Sequence, residues 1–245
     1  MDSIITYITL FLASIISGIS VFAIKDTHSK TLKLITVFGG AFLFAVCFVD
    51  LIPSMFKHSL EEVDNIHKSI IPVGAYILLG FLLQLLLEQL SKGAEHGHIH
   101  SNREKKSLIS SIMLLIGISI HAFLEGFPII VNGVVNTTMV TGIIIHNIPI
   151  SIVIVGAFLS SGCSKIKSIL MLSIFASMAI WGSLLNQTWS FLQPYENIIV
   201  GVVVGILLHV STTTLFDSEE SHKYNLSRFL VVILAFIIVI ILPAH

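Results

Sequence analysis

The sequence predicts an all-α integral membrane protein with eight transmembrane helices. Of its 245 residues, 55% are hydrophobic and only 11% are charged, whereas a soluble domain carries about twice that fraction of charge. The mean hydropathy is +0.97, and eight mostly apolar runs have roughly the 17–25 residues that a helix needs to cross a bilayer. The runs lie near residues 4–24, 33–55, 70–90, 107–131, 138–160, 168–191, 196–216 and 228–243.

The ends of the runs support a single transmembrane domain over residues 1–245. The first run is interpreted as a retained helix, because MDSIITY carries Asp2 where a cleaved leader has a basic region. The sixth and seventh runs are separated only by the polar stretch LQPYENI, and the eighth run is short. The two cysteines, Cys47 and Cys163, offer neither a disulfide framework nor a Cys-x-x-Cys metal motif.

The lysines and arginines predict the orientation of this domain. Eleven of the 13 fall between spans 1 and 2, 3 and 4, 5 and 6, or 7 and 8, and only Lys57 and Lys68 lie on the other side. Positive charge accumulates in cytoplasmic loops. These four loops are therefore predicted to be cytoplasmic, with both termini outside, as an even number of spans requires.

The longest of these cytoplasmic loops, at about residues 91–106, is rich in histidine. It contains HGHIH, with His96, His98 and His100. Histidine-rich tracts can bind metal ions, but nothing in the loop fixes a geometry. A metal-binding loop and a solvated linker are both compatible with this pattern.

Few ionisable residues lie within the apolar runs. Such groups are costly in hydrocarbon and normally face the protein interior or a water-filled path. Glu88 is expected to reach the membrane interface, since Gln89 and Lys92 follow it. The set comprises Asp50, Glu88, His121, Glu125, His146 and His209, with Asp217 at the end of a span.

Three of these residues form a candidate metal site. His121 and Glu125 are four residues apart and therefore lie on one helix face. His146 lies on the next span, after the uncharged connection VNGVVNTT, so the two spans are expected to be antiparallel neighbours. Two imidazoles and a carboxylate suit Zn²⁺, and less selectively Fe²⁺, Mn²⁺, Co²⁺ or Cd²⁺. The alternative is a buried His–Glu hydrogen bond that holds helices together.

Three prolines follow polar residues of the spans at the same offset. The pairs are Asp50 with Pro53, Glu125 with Pro128, and His146 with Pro149. Each proline frees the carbonyl four residues earlier, and broken backbone is tolerated at membrane depth where it is buried or lines a cavity. The kinks could therefore present carbonyls beside the candidate ligands, although proline is also simply more common in membrane helices than in soluble ones.

Several motifs together resemble the ZIP family of divalent metal transporters. They are GGAFLFAVCFVDLIP in span 2, ILLGFLLQLLLEQL in span 3, HAFLEG in span 4, HNIP in span 5 and GILLHVSTTTLFD in span 7. The resemblance implies a bundle in which spans 1–3 and 6–8 are inverted repeats around spans 4 and 5, with a transport site near the midplane. It also implies that His121, Glu125 and His146 are metal ligands and that Asn147 is a weaker candidate.

The sequence departs from this family where a second metal would bind. Span 5 has Ile150 where the family usually has a glutamate that bridges two metals, and span 2 has Asp50 and Ser54 for the usual histidine and glutamate. We therefore expect a single site, built from His121, Glu125 and His146 and completed by Asn147, water or a freed carbonyl.

Two further residues are candidates for the ion pathway. Asp50 is expected to attract cations toward the site or to pack against a Ser or Thr of a neighbouring helix. His209 is interpreted either as a waypoint for the ion or as one half of an interhelical hydrogen bond.

The predicted function is divalent metal transport, with zinc import into the cytoplasm as the specific form; the direction comes from the resemblance. No ATP-binding motif is found, so movement must follow a gradient or couple to another ion. The alternatives are a non-transporting metal sensor or binding protein and an intramembrane zinc hydrolase, although the chain has no His-Glu-x-x-His motif. The protein is thus expected not to be an enzyme and to need no catalytic cofactor.

The expected partners are a divalent metal ion and the lipid bilayer, and the family makes a homodimer plausible. The net charge of −1 and the lack of a basic patch give no sign of nucleic-acid binding. The expected location is a bacterial inner (plasma) membrane.

Overall fold

The computed structural model describes residues 2–23, 30–62, 66–91, 107–131, 133–216 and 226–242. Helices account for nearly all of this part of the chain. They are α1 (Ser3–Ile19), α2 (Lys30–Val46), α3 (Ile52–Glu62), α4 (Ile66–Ser91), α5 (Leu108–Glu125), α6 (Thr137–Ser160), α7 (Lys165–Thr188), α8 (Glu196–Phe216) and α9 (Leu226–Ile241). Two short strands, β1 (Ile130–Val131) and β2 (Val134–Val135), pair antiparallel between α5 and α6.

The helices have the length and composition of membrane spans. In the described ranges, seven helical segments are long and apolar enough to cross a bilayer, and α9 is apolar but has only 16 residues. At 1.5 Å per residue, α9 is about 24 Å long, somewhat less than the roughly 30 Å hydrocarbon core. The predicted all-α membrane protein is confirmed, including its short last helix.

Helices α2 and α3 form one span with a π-helical turn, Cys47–Leu51, at their junction. Pro53 has no N–H and therefore cannot close the usual bond to the carbonyl of Val49. At this turn the N–H of Ile52 instead donates to the carbonyl of Cys47, five residues back. The predicted disturbance of this span by Pro53 thus takes the form of a π-turn. Such turns are common at functional sites.

Glycines allow two helix pairs, α4 with α8 and α5 with α7, to approach closely. A Cβ atom added to Gly80 of α4 would overlap the carbonyl of Val202 in α8, and one added to Gly205 of α8 would overlap that of Ile77. Gly182 of α7 lies equally close to α5. Small residues of this kind drive helix association in membranes, because van der Waals contact replaces the hydrophobic effect there.

The packing has the pairings that an inverted repeat would produce. Helix α4 packs most extensively on α8, and α2 packs on α9, so spans 3 and 7 and spans 2 and 8 are neighbours. Likewise α1 packs on α6 and α5 on α7. If spans 1–3 are exchanged with spans 6–8, and span 4 with span 5, the first pair becomes the second. The same exchange turns the α1–α6 pair into the α5–α7 pair. The repeat itself stays a prediction.

The surfaces away from the bundle interior suit a lipid environment. Large apolar side chains are exposed on outer faces of α1, α4 and α9, among them Ile4, Leu78 and Ile241. Trp189, with its ring 5.3 Å from that of Phe191, is exposed at the junction of α7 and α8. Aromatic residues are enriched at membrane interfaces, so this junction is expected to lie at headgroup level.

Candidate metal centre

His121, Glu125 and His146 come together inside the bundle. One ligand atom from each lies within 4.8 Å of the others, and they are the only group of three or more metal-binding side chains of this kind in the described ranges. Their exposed fractions are 3%, 0% and 5%. We call this group the buried trio. It joins α5 to α6, as the short connection between the two spans predicted.

Helix α5 presents two of the donors at its end. The Nε2 atom of His121 lies 3.0 Å from Oε1 of Glu125, one turn further along. The helix ends at Glu125, where the N–H of Gly126 donates to the carbonyl of Ala122, and a 3₁₀ turn with Pro128 follows. Pro128 was expected to kink a continuous span. The structure shows instead that the α-helix stops one turn after His121, and the chain continues into β1.

Helix α6 supplies the third donor. Its start is fixed by Asn136, whose side-chain oxygen accepts from the N–H of Met139. At the level of His146, α2 approaches through Gly39, where an added Cβ would lie 3.2 Å from the His146 Cα. The His146 and His121 rings are 6.0 Å apart at 64°. Close packing on α2 therefore holds this histidine against α5.

The carboxylate of Glu125 lies in an environment that favours a cation. It is fully buried, and neither oxygen makes a hydrogen bond of regular geometry to the described residues, although His121 is close. Removing a carboxylate from water costs several kcal/mol unless charge and hydrogen bonds compensate. A divalent ion between Glu125 and the two imidazoles would provide that compensation.

The spacing of the trio matches a slightly open metal site. Ligand bonds of about 2.0–2.1 Å at tetrahedral angles place donor atoms about 3.3 Å apart. The three donors lie within 4.8 Å of one another, so binding an ion would draw them closer together. Two imidazoles and one carboxylate leave at least one coordination position for a further donor.

Asn147 is a further buried residue that could supply a donor. It follows His146 on α6, is 5% exposed, and its Oδ1 atom has no hydrogen-bond partner among the described residues. The hydroxyl of Ser151, one turn further on, is also buried and has no hydrogen-bond partner among the described residues. A buried acceptor without a donor is unusual in proteins. Asn147 thus keeps its candidacy as a ligand, which stays a prediction.

The position of the missing glutamate is apolar. Ile150 is partly buried and packs against a hydrophobic cluster that includes Leu114 and Ile118 of α5 and Phe158 of α6. No charged side chain replaces the absent bridge at this position. The single site stays a prediction.

Asp50 lies in the π-turn and binds a residue that the sequence did not suggest. It is 4% exposed, and its Oδ2 accepts a hydrogen bond of 2.6 Å from the side chain of Asn136. The expected Ser or Thr partner is therefore an asparagine at the start of α6. Asp50 is not part of the buried trio.

His209 forms an interhelical hydrogen bond rather than joining the trio. Its Nε2 lies 2.7 Å from Oε2 of Glu88, and its ring meets that of Phe81 edge-on at 4.8 Å. Glu88 is 24% exposed and contacts His209 of α8, and its expected position at the membrane interface stays a prediction. We call these two residues the His209–Glu88 pair.

Gln84 is a residue of the site that no sequence motif indicated. It is fully buried on α4, one turn before Glu88, and its Oε1 lies 3.3 Å from Nδ1 of His121. Its only signal in the sequence is a polar residue inside an apolar run. The loop histidines His96, His98 and His100 lie outside the described residues.

Comparison with known proteins identifies the chain. A family model described as ZIP zinc transporter matches residues 91–242, which is more than half of the chain and includes all three residues of the buried trio. No curated protein matches the sequence. Membership of this family implies transport of divalent metal cations. The chain belongs to the ZIP zinc transporter family.

Proposed function

We propose that this protein carries zinc into the cytoplasm through a single site formed by His121, Glu125 and His146. The observation that carries the proposal is the convergence of two imidazoles and a fully buried carboxylate from two neighbouring helices. Zinc is favoured by this mixture of nitrogen and oxygen donors, and Fe²⁺, Mn²⁺, Co²⁺ and Cd²⁺ are compatible with it.

The incomplete coordination suits a transported ion better than a structural one. Structural zinc sites are closed by four protein ligands, whereas the trio supplies three. Asn147 or water completes the shell in this proposal. An ion held by few protein donors exchanges readily, and conduction requires binding weak enough for release.

The polar residues follow one another along the predicted transport direction. With both termini outside, α6 begins at the outer end, where Asn136 contacts Asp50. His209 and Glu88 lie toward the C-terminal ends of α8 and α4. In this orientation both of these ends are on the cytoplasmic side. In this proposal Asp50 attracts the entering cation and the His209–Glu88 pair lies beside its exit. The single domain spans residues 1–245 in a bacterial inner membrane.

Zinc uptake into proteoliposomes tests the proposal. The native protein should show saturable uptake of radioactive zinc, and His121→Ala should reduce its initial rate by more than about 100-fold, since even residues that only support ligands change metal affinity 10–100-fold. Gln89→Ala, at an exposed position of α4, is the control and should transport normally. The absence of uptake of any of the five metal ions by folded native protein would contradict the proposal.

Ile150 favours one second candidate, a membrane protein that binds zinc without transporting it. The apolar side chain removes the carboxylate that the family normally places there. Purified protein would then bind zinc at the trio, and His121→Ala would abolish binding, while native proteoliposomes would take up no more zinc than empty ones. Uptake that depends on His121 excludes this candidate.

A further inference from the structure

Gln84 contacts the face of His121 opposite the proposed metal. Its Oε1 is 3.3 Å from Nδ1, while Nε2 on the other side of the ring is 3.0 Å from the Glu125 carboxylate. The imidazole thus lies between an amide oxygen from α4 and a carboxylate from its own helix. An amide oxygen only accepts hydrogen bonds, so this contact requires the hydrogen to be on Nδ1.

The position of that hydrogen decides which nitrogen can bind an ion. A neutral imidazole has one N–H and one lone pair. With a hydrogen on Nδ1, Nε2 is the nitrogen that faces Glu125 and the other donors of the trio. In the metal-free protein its 3.0 Å contact with the carboxylate requires a hydrogen on Nε2 as well, and an entering ion would take the place of that hydrogen. Partners behind metal-bound histidines commonly fix the tautomer and the ring orientation in this way.

The helix that carries Gln84 is well placed to hold it still. Gly80, one turn earlier, packs against the backbone of Val202, and Gly205 packs against that of Ile77. Because no side chain lies between the two backbones at these glycines, α4 packs tightly against α8 on the turns next to Gln84. The amide group also has no exposed surface, so water does not compete for His121.

We propose that Gln84 is a positioning residue of the zinc site, holding His121 as the Nδ1–H tautomer so that Nε2 faces the ion. The inference rests on the proposed function for its consequence in transport. Its structural content, the location of one hydrogen, can be measured in metal-free protein.

Two substitutions and one control separate positioning from packing. Gln84→Leu keeps the volume but loses the acceptor, and should raise the KM for zinc uptake and the Kd for zinc by about 10–100-fold. Gln84→Glu retains an acceptor and should keep the Kd at or below the native value while lowering the maximal rate, because a carboxylate makes the imidazole a stronger ligand. Gln89→Leu, at an exposed position of the same helix, should change neither constant.

The tautomer is read directly by nitrogen NMR of metal-free protein labelled with ¹⁵N-histidine. The His121 signals are those that disappear in His121→Ala. Native protein should show a protonated Nδ1, and Gln84→Leu should shift the population toward Nε2–H. If Gln84→Leu does not fold, Gln84→Met, which is unbranched and of similar length, replaces it.

Three results would overturn the inference. One is a native Nδ1 without hydrogen. Another is zinc affinity in folded Gln84→Leu within twofold of native, and the third is equal loss of affinity in Gln84→Leu and Gln84→Glu. Failure of the native protein to transport zinc would instead contradict the proposed function, and the NMR result would still decide the role of Gln84.

Discussion

Two histidine–carboxylate contacts lie in the interior of the part of the chain that the structure describes, and their surroundings differ. In the buried trio, Glu125 is fully buried, lies 3.0 Å from His121, and has a second imidazole nearby. In the His209–Glu88 pair, the contact is shorter, at 2.7 Å, the carboxylate is 24% exposed, and no third ligand of the same kind lies close enough among the described residues.

Burial of the carboxylate and the number of nearby imidazoles decide which contact can serve as a metal site. A carboxylate that keeps part of its hydration and has one good hydrogen bond needs no ion. A fully buried carboxylate beside two imidazoles gains from one, because the ion compensates for the lost water. The same side-chain chemistry therefore holds helices together in one place and is able to bind cargo in the other.

Matched neutral substitutions should separate the two contacts most strongly. Glu125→Gln keeps the shape of the side chain but removes the negative charge that balances the charge of the zinc ion. It should lower the initial rate of zinc uptake by more than about 100-fold. Glu88→Gln retains a hydrogen-bond acceptor for His209 and should lower it less than about tenfold. Equal effects in proteoliposomes would remove the distinction.

A carboxylate added near the trio should strengthen the contrast. Ile150 lies one turn after His146, on the same face of α6. Ile150→Glu should tighten zinc binding by about tenfold, on the scale at which neighbouring groups tune metal sites, and slow release of the ion. Isothermal titration gives the Kd. Ile150→Gln, with the same shape and no charge, is the control, and an equal gain from it would contradict an electrostatic cause.

Widening the contact between α2 and α6 should weaken the trio without touching a ligand. Gly39→Val places its Cβ 3.2 Å from the His146 Cα, so α6 must shift, and zinc uptake should fall about tenfold. Gly74→Val is the matched control, since nothing lies within 4 Å of an added Cβ there. Uptake by Gly39→Val equal to that of Gly74→Val would show that this contact does not position His146.

The smallest expected effect concerns the start of α6. Asn136→Ala removes both the helix cap and the donor to Asp50, and should destabilise the protein by about 1 kcal/mol, visible as a melting temperature lower by a few degrees. Asn136→Asp retains a capping oxygen but places a carboxylate opposite Asp50. Because Asp50 attracts cations in this proposal, the added negative charge should give Asn136→Asp a higher initial rate of zinc uptake than Asn136→Ala.

The sequence predicted the elements of the site that depend on local spacing. The four-residue separation of His121 and Glu125 placed both on one face of α5, and the short connection to α6 brought His146 beside them. Gln84 could not be found in this way, because its contact with His121 joins helices whose relative position no local pattern encodes. Its importance becomes visible only when α4 is packed against α5.

The prolines show a similar limit. Pro53 and Pro128 were predicted to interrupt their spans, because each lacks a donor. The sequence did not indicate the outcome, which is a π-turn before Pro53 and the end of α5 before Pro128. In each case the missing donor can be read from the sequence, but the hydrogen-bonding pattern that replaces it is visible only in the structure.

X-ray absorption at the zinc edge measures whether the buried trio binds zinc. Spectra of the zinc-loaded protein are compared with those of its His146→Ala and His209→Ala variants. In all of these proteins His96, His98 and His100 are replaced by alanine, so that zinc bound to the loop does not contribute. The account predicts nitrogen and oxygen ligands at about 2.0–2.1 Å with two imidazoles, one of which is lost in His146→Ala and neither in His209→Ala. Loss of imidazole scattering in His209→Ala, with none in His146→Ala, would contradict it.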